Sequence, residues 1–164
     1  MTRRRFRLPR LRVPRLPRSK AGRRRWLGAL AMAALVLLWW LHGGEPRATW
    51  PRSEILRAIR LVESSGRDDV PDGDGGLAIG PFQIHEVYWR DAVAFEPSLG
   101  GTYQQCRQRR YAERVIDAYM RRHIAQPWAI GDAETIARVH NGGPNGADKT
   151  ATLGYWRRVR ARLP

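Results

Sequence analysis

A single cysteine, Cys106, stands in the 164 residues. No internal disulfide is available, so the folded part must hold itself together by packing alone. The lone thiol reads as a small buried hydrophobe rather than a reactive group. The histidines, His42, His85, His123 and His140, form no H-E-x-x-H pattern and have no cysteine pair to join, which removes the common zinc sites. No G-x-S-x-G elbow occurs, and Ser64 and Ser65 lack a recognisable local partner, so serine hydrolysis is without its parts. No glycine loop sits between a strand and a helix as phosphate binding requires. Asp72-Gly73-Asp74-Gly75 opens like a calcium loop, but Gln83 occupies the place where that loop needs its bidentate glutamate. No metal and no cofactor are expected. What these absences leave is carboxylate chemistry.

Acidic residues are missing from the first 25 positions, which hold eleven Arg together with Lys20 and are interrupted by Pro9, Pro14 and Pro17. Such a segment cannot bury a core and is expected to be a disordered tail. It supplies most of the net charge of +15, because the remaining residues carry 18 basic against 15 acidic side chains. Charge alone would admit a nucleic acid as partner, but the next segment argues against one. Trp26 to Leu41 (WLGALAMAALVLLWWL) is a run of sixteen residues without a charge. That is shorter than the roughly 20 residues of a comfortable membrane span and longer than most signal-peptide cores. Trp39 and Trp40, placed like an interfacial aromatic belt, and the lack of a clean A-x-A site favour a retained anchor over residues 26–42 rather than a cleaved signal. The basic tail, residues 1–25, then stays in the cytoplasm by the positive-inside rule. Residues 43–50 form a linker, 51–164 an exported domain in the cell envelope, and the inner membrane is a partner through residues 26–41.

No run alternates at period two, which predicts a mainly helical α+β domain with at most a small hairpin. Pro51 suits the first turn of a helix in which Ile55, Leu56, Ile59 and Val62 recur at spacings of three and four, ending at Ser65-Gly66. Residues 66–76 hold four Asp, four Gly and one Pro and read as a loop. A second helix is expected from Pro81 to about Ala94, and a longer one from about Tyr103 to His123. The inward stripe of that longer helix is Cys106, Tyr111, Ala112, Val115, Ile116, Tyr119 and Met120. Asp132 is placed to cap a helix from Ala133 to His140, and a last helix runs from Thr152 to about Arg162. Glu63 falls in the final turn of the first helix beside its apolar stripe. Burial and the negative end of the helix dipole would both favour its neutral form, as a proton donor requires.

Several short segments together carry a family resemblance. They are Val62-Glu63-Ser64-Ser65-Gly66, Gly80-Pro81-Phe82-Gln83-Ile84, Tyr88-Trp89-Arg90-Asp91, Ala118-Tyr119-Met120-Arg121-Arg122, His140-Asn141-Gly142-Gly143-Pro144-Asn145-Gly146 and Tyr155-Trp156. In this order they resemble the invertebrate-type (destabilase-like) lysozymes over roughly residues 52–160. The E-S-x-G and G-x-x-Q-I elements are shared with lytic transglycosylases of the wider superfamily, whereas the His140 to Gly146 turn followed by Tyr155-Trp156 points to this branch. The resemblance implies a lysozyme-like fold with a peptidoglycan cleft, Glu63 as general acid, and a carboxylate from the following loop as the second catalytic group. Counting back from Gly80, the family's aspartate would fall on Gly73, so a shift of one residue makes either Asp74 or Asp72 the partner. Asp74 is favoured, because Asp74-Gly75-Gly76-Leu77-Ala78-Ile79-Gly80 keeps it nearer the turn. Gln83, Tyr88, His140 and Asn141 are the candidate substrate-binding residues of the cleft. The chain departs from the family in cysteine content, with Ala92 and Ala112 where cysteines would be expected.

The implied reaction is cleavage of the β-1,4 bond between N-acetylmuramic acid and N-acetylglucosamine, with Glu63 protonating the leaving oxygen. A second carboxylate at about 5 Å gives net retention, and one at about 6.5 to 9.5 Å gives inversion. Two rivals stand beside it: a lytic transglycosylase using Glu63 alone, and a non-catalytic wall-binding module.

Overall fold

The computed structural model describes residues 31–34, which are helical, and residues 48–164. The basic tail of 1–25, most of the apolar run 26–42 and most of the linker therefore lie outside the described residues. Among those described, no helix is long and apolar enough to cross a membrane. The domain that carries the remaining elements spans Arg47–Pro164.

Its first helix, α1 (Arg52–Ser64), follows Pro51, whose ring fixes the backbone at φ −54°. Ile55, Ala58 and Ile59 are fully buried along one face, as their spacing requires. The helix stops one residue before the glycine expected to end it: Ser65 is already left-handed at φ 52° and its amide turns back to Arg60 O. Arg60 then donates to Gly66 O and pairs with Asp68 at 3.1 Å, which ties the start of the acidic loop to the helix.

That loop ends in a single 3-10 turn, Asp74–Gly76, and leads into a hairpin of β1 (Ala78–Ile79) and β2 (Ile84–His85). The strands are antiparallel, with Ala78 opposite His85 and Ile79 opposite Ile84. The helix expected to open at Pro81 thus begins later, as α2 (Glu86–Phe95), because Ile84 and His85 are paired in the sheet. Gly80 makes the turn possible. It sits at φ 72°, and a Cβ there would lie 2.2 Å from Cys106 O.

The single helix predicted over Tyr103 to His123 divides into a 3-10 segment, Tyr103–Arg107, and α3 (Arg109–Ile130), with Gln108 extended between them. Thr102 and Gln105 cap the first segment reciprocally, and the Tyr103 hydroxyl ties it to the hairpin, 2.9 Å from Leu77 O and 2.8 Å from Ile84 O. α3 runs past its predicted end but kinks at Ile124 (φ −141°), three residues before Pro127, which has no amide to donate. Asp132 caps α4 (Ala133–Gly142) as its position predicts, accepting from Thr135 N at 3.1 Å. α5 (Leu153–Arg160) closes the domain.

The core lies where α1, α3, α4 and α5 meet the hairpin. Ile55, Ile59, Phe82, Ile84, Val115, Ile116, Met120, Ile136, Val139 and Val159 are all shut off from solvent. Cys106 joins them as a free thiol, and burial pushes its pKa up to about 12, which suits a packed hydrophobe. Ala92 and Ala112 are likewise fully buried, filling with methyl groups the places where the resemblance led one to expect cysteines.

Candidate active site

Three elements bring the site together. The last turn of α1 supplies Glu63, the acidic loop and hairpin supply Asp74, Gln83 and His85, and the end of α4 supplies His140 and Asn141. Together with Ala78 these residues line a cavity of about 260 Å³. A larger cavity of about 700 Å³ shares His85, His140 and Asn141 with it and continues past Val87, Ala94 and Pro144. The result is an open groove with two carboxylates at one end.

Those carboxylates sit in contrasting surroundings. The Glu63 side chain is 19% exposed, whereas that of Asp74 is 70% exposed. Burial raises the pKa of Glu63 above its ordinary value. The Tyr155 hydrogen bond and the Arg158 charge oppose that shift, the negative charge of Asp74 adds to it, and His85 opposes it again. The dominant effect favours a protonated Glu63. Tyr155 donates its hydroxyl to Glu63 Oε1 at 2.6 Å, which leaves Oε2 to carry the acid proton. Burial and the neighbouring carboxyl hold the Tyr155 phenol far above its ordinary pKa, so it remains a donor.

His140 stands behind the acid. Its side chain is 4% exposed, and Nε2 lies 3.9 Å from Glu63 Oε1. That nitrogen donates instead to Phe82 O at 3.1 Å, since a carbonyl can only accept, which fixes the proton on Nε2. Burial pulls its pKa down to about 4, so the imidazole is a neutral wall of the site. Its other nitrogen, Nδ1, is buried without a partner.

The two aspartates left open by the sequence are set in different places. Asp74 lines the cavity and accepts a hydrogen bond from His85 Nε2 at 2.9 Å. Asp72 turns the other way, into a two-pronged pair with Arg107 whose Oδ2 contact is 2.8 Å, and this pairing lowers its pKa. Tyr88 is 7% exposed and stacked on Tyr119 with ring centroids 3.5 Å apart, so one face is taken by the core, while its remaining surface lines the larger cavity. Gln83 and Asn141 both line the cavity, with Asn141 exposed at the end of α4.

Two members of the site went unpredicted, Tyr155 and His85. Tyr155 reaches Glu63 across 92 residues because the turn after α4 folds α5 back onto α1. Arg138 builds that turn: its guanidinium binds Thr152 Oγ1 at 3.0 Å and Lys149 O at 3.1 Å. Gly146 passes so close that a Cβ would fall 2.1 Å from Arg138 O. The Gly and Pro residues of the motif are therefore turn architecture. His85 is aimed by the hairpin register, and the only sequence signal for it is its place just after Gln83-Ile84. Among the described residues no group of His, Cys, Asp and Glu is arranged to hold a metal ion.

A buried carboxyl whose neutral form is favoured and a solvated one on the same cavity can protonate one atom of a bond while stabilising positive charge on the next. Comparison with known proteins places the fold in a family. The Destabilase family model matches residues 54–162. Lysozyme 1 of Crassostrea virginica is 40% identical over 66% of this chain and 58% of its own length. The lysozyme of Ostrea edulis is 36% identical over 51% of this chain and 59% of its own, so the chain spans a little under three fifths of these relatives. Invertebrate-type lysozyme 6 of Caenorhabditis elegans is 32% identical over 68% of this chain and 87% of its own length. Among solved structures, the inhibitor-bound lysozyme from Meretrix lusoria superposes with a TM-score of 0.56 at 33% identity, covering 66% of this chain and 87% of that one. The Tapes japonica lysozyme gives 0.52 at 30% identity, over 65% and 86%.

Proposed function

This chain belongs to the Destabilase family of invertebrate-type lysozymes, and from that membership we propose that it is a peptidoglycan glycoside hydrolase. Its substrate is the β-1,4 bond between N-acetylmuramic acid and N-acetylglucosamine. Glu63 protonates the leaving oxygen from Oε2 while Tyr155 holds Oε1. Asp74, held by His85, stabilises the oxocarbenium-like centre or attacks it. The observation that carries this reading is the contrast between a dry Glu63 and a wet Asp74 on one cavity. Asp72 is left outside the chemistry by its pairing with Arg107.

Having Asp74 on the cavity favours hydrolysis over a transglycosylase that uses Glu63 alone, which would need no second carboxylate. The basic segment of 1–25 and the apolar run that follows support action in the cell envelope, with the tail in the cytoplasm. The test is turbidity clearing of purified peptidoglycan by the full chain. Glu63→Gln is expected to slow clearing by about 10²- to 10⁴-fold, the usual worth of a general acid. Undiminished clearing by that variant would sink the assignment. Mass spectrometry of the products separates the rival, because an anhydro sugar is lighter by one water.

A further inference from the structure

Gln83 ends the turn between β1 and β2 with its backbone left-handed, at φ 48°. Asp74 is left-handed too, at φ 49°, and among the described residues only Ser65 shares this among non-glycines. A glutamine has neither the missing Cβ of glycine nor the short side chain with which asparagine eases such a conformation. Backbone strain of this kind persists only where the surroundings enforce it, and it gathers at functional sites.

The side chain of Gln83 shows what enforces it. Its Nε2 donates to Gly80 O at 2.9 Å and to Pro71 O at 3.3 Å. Both amide hydrogens are thereby used within the protein, one at the start of the hairpin turn and one in the middle of the acidic loop. Its Oε1 presses on Gly73, where a Cβ would come within 2.3 Å, so the contact reaches the residue directly before Asp74. Gly73 is also bridged to Ala78, the partner of His85 in the sheet. Tyr103 and Arg107 brace the same loop farther out, at Leu77, Ile84 and Asp72.

We propose that Gln83 is a positioning residue for Asp74: its carboxamide clasps the acidic loop to the hairpin, keeping the Asp74 carboxylate on His85 and on the cavity it shares with Glu63. The clasp spends both amide hydrogens and leaves only Oε1 to accept from a ligand. The inference rests on the two-carboxylate reading above.

The test compares four full-length proteins: wild type, Gln83→Gly, Asp74→Asn and the double variant. Each is measured for kcat and KM on soluble peptidoglycan fragments, and unfolding is followed alongside. Glycine suits the left-handed position better than glutamine, so Gln83→Gly removes the clasp without forcing the backbone. Its unfolding midpoint is expected to stay above the assay temperature. Its kcat falls by about 10- to 100-fold with KM held within about twofold, the pattern of a misplaced catalytic group. Gln83→Glu, which keeps the size but loses both donors, shows the same loss. In the Asp74→Asn background the added glycine costs no more than about twofold, because the group it positions is already gone. A raised KM at unchanged kcat would reassign Gln83 to sugar binding. A full further loss on top of Asp74→Asn would overturn the link to Asp74. Full activity of Gln83→Gly beside an inactive Asp74→Asn defeats this inference alone, whereas full activity of Asp74→Asn defeats both it and the two-carboxylate mechanism.

Discussion

At Glu63 the acid and its restraint are separate groups. Burial favours the neutral carboxyl, while the Tyr155 hydroxyl, 2.6 Å from Oε1, favours the charged one. Tyr155→Phe removes the opposing influence, so the Glu63 pKa rises further and the alkaline limb of the pH–activity profile moves to higher pH. The same change strands a buried carboxyl oxygen, at a cost of about 1–3 kcal/mol in stability. The sign with pH follows from the raised pKa: the Glu63 contribution to stability is full below its unfolded value and is lost as pH rises through the folded one. The stability deficit of Tyr155→Phe therefore grows as pH rises through the Glu63 titration, because the hydroxyl favours the charged carboxyl and its loss is felt most where Glu63 is ionised. A Tyr155→Phe profile with an unmoved alkaline limb would remove the phenol from the acid's control. Glu63 stood out as a candidate acid through the motif segments around it, since a glutamate in the last turn of a helix is by itself an ordinary surface charge. Tyr155 did not, since no local pattern reports a contact across 92 residues. Between Asp74 and Asp72 the sequence leaned toward Asp74, but the feature that sets them apart, the pairing of Asp72 with Arg107, lies 35 residues away and has no local signal.

Elements were read well where periodicity was long and poorly where pairing was short. α1 and α4 lie close to their predicted bounds, and the Asp132 cap is in place. The hairpin was foreseen only as an upper limit, since two strands of two residues each leave no alternation to find. Its existence depends on Gly80, which the turn needs at φ 72° and which Cys106 O approaches too closely for any side chain. Gly80→Ala is therefore expected to destabilise the domain by more than about 1 kcal/mol, seen as a lower urea midpoint at an unchanged m-value. Clearing activity should fall with it even below the unfolding transition, because the turn carries Gln83 and His85 to Asp74. An alanine variant with wild-type stability would mean that the Tyr103–Arg107 segment yields more easily than its capping box and hydrogen bonds to the hairpin imply.

For the molecule as a whole, the lone buried Cys106 sets the terms of stability. With no cross-link to restrict the unfolded chain, the domain must draw on its core, and any loss there counts directly against a total of about 5–15 kcal/mol. Ile116 is fully buried in α3. Ile116→Ala is expected to cost about 2–5 kcal/mol, enough to remove a large share of the margin. The complementary expectation concerns redox conditions. A disulfide-built relative would lose stability in reductant, whereas this domain should show the same unfolding midpoint and the same clearing rate with and without it. Ala92 and Ala112, closed inside the core, have no thiol to oxidise, and Cys106 has a pKa near 12 and no partner within the described residues. A midpoint that falls on adding reductant would require a cross-link between two chains through Cys106. That outcome would first demand that the core open to expose it, so reductant sensitivity would refute the packing-only account of this fold.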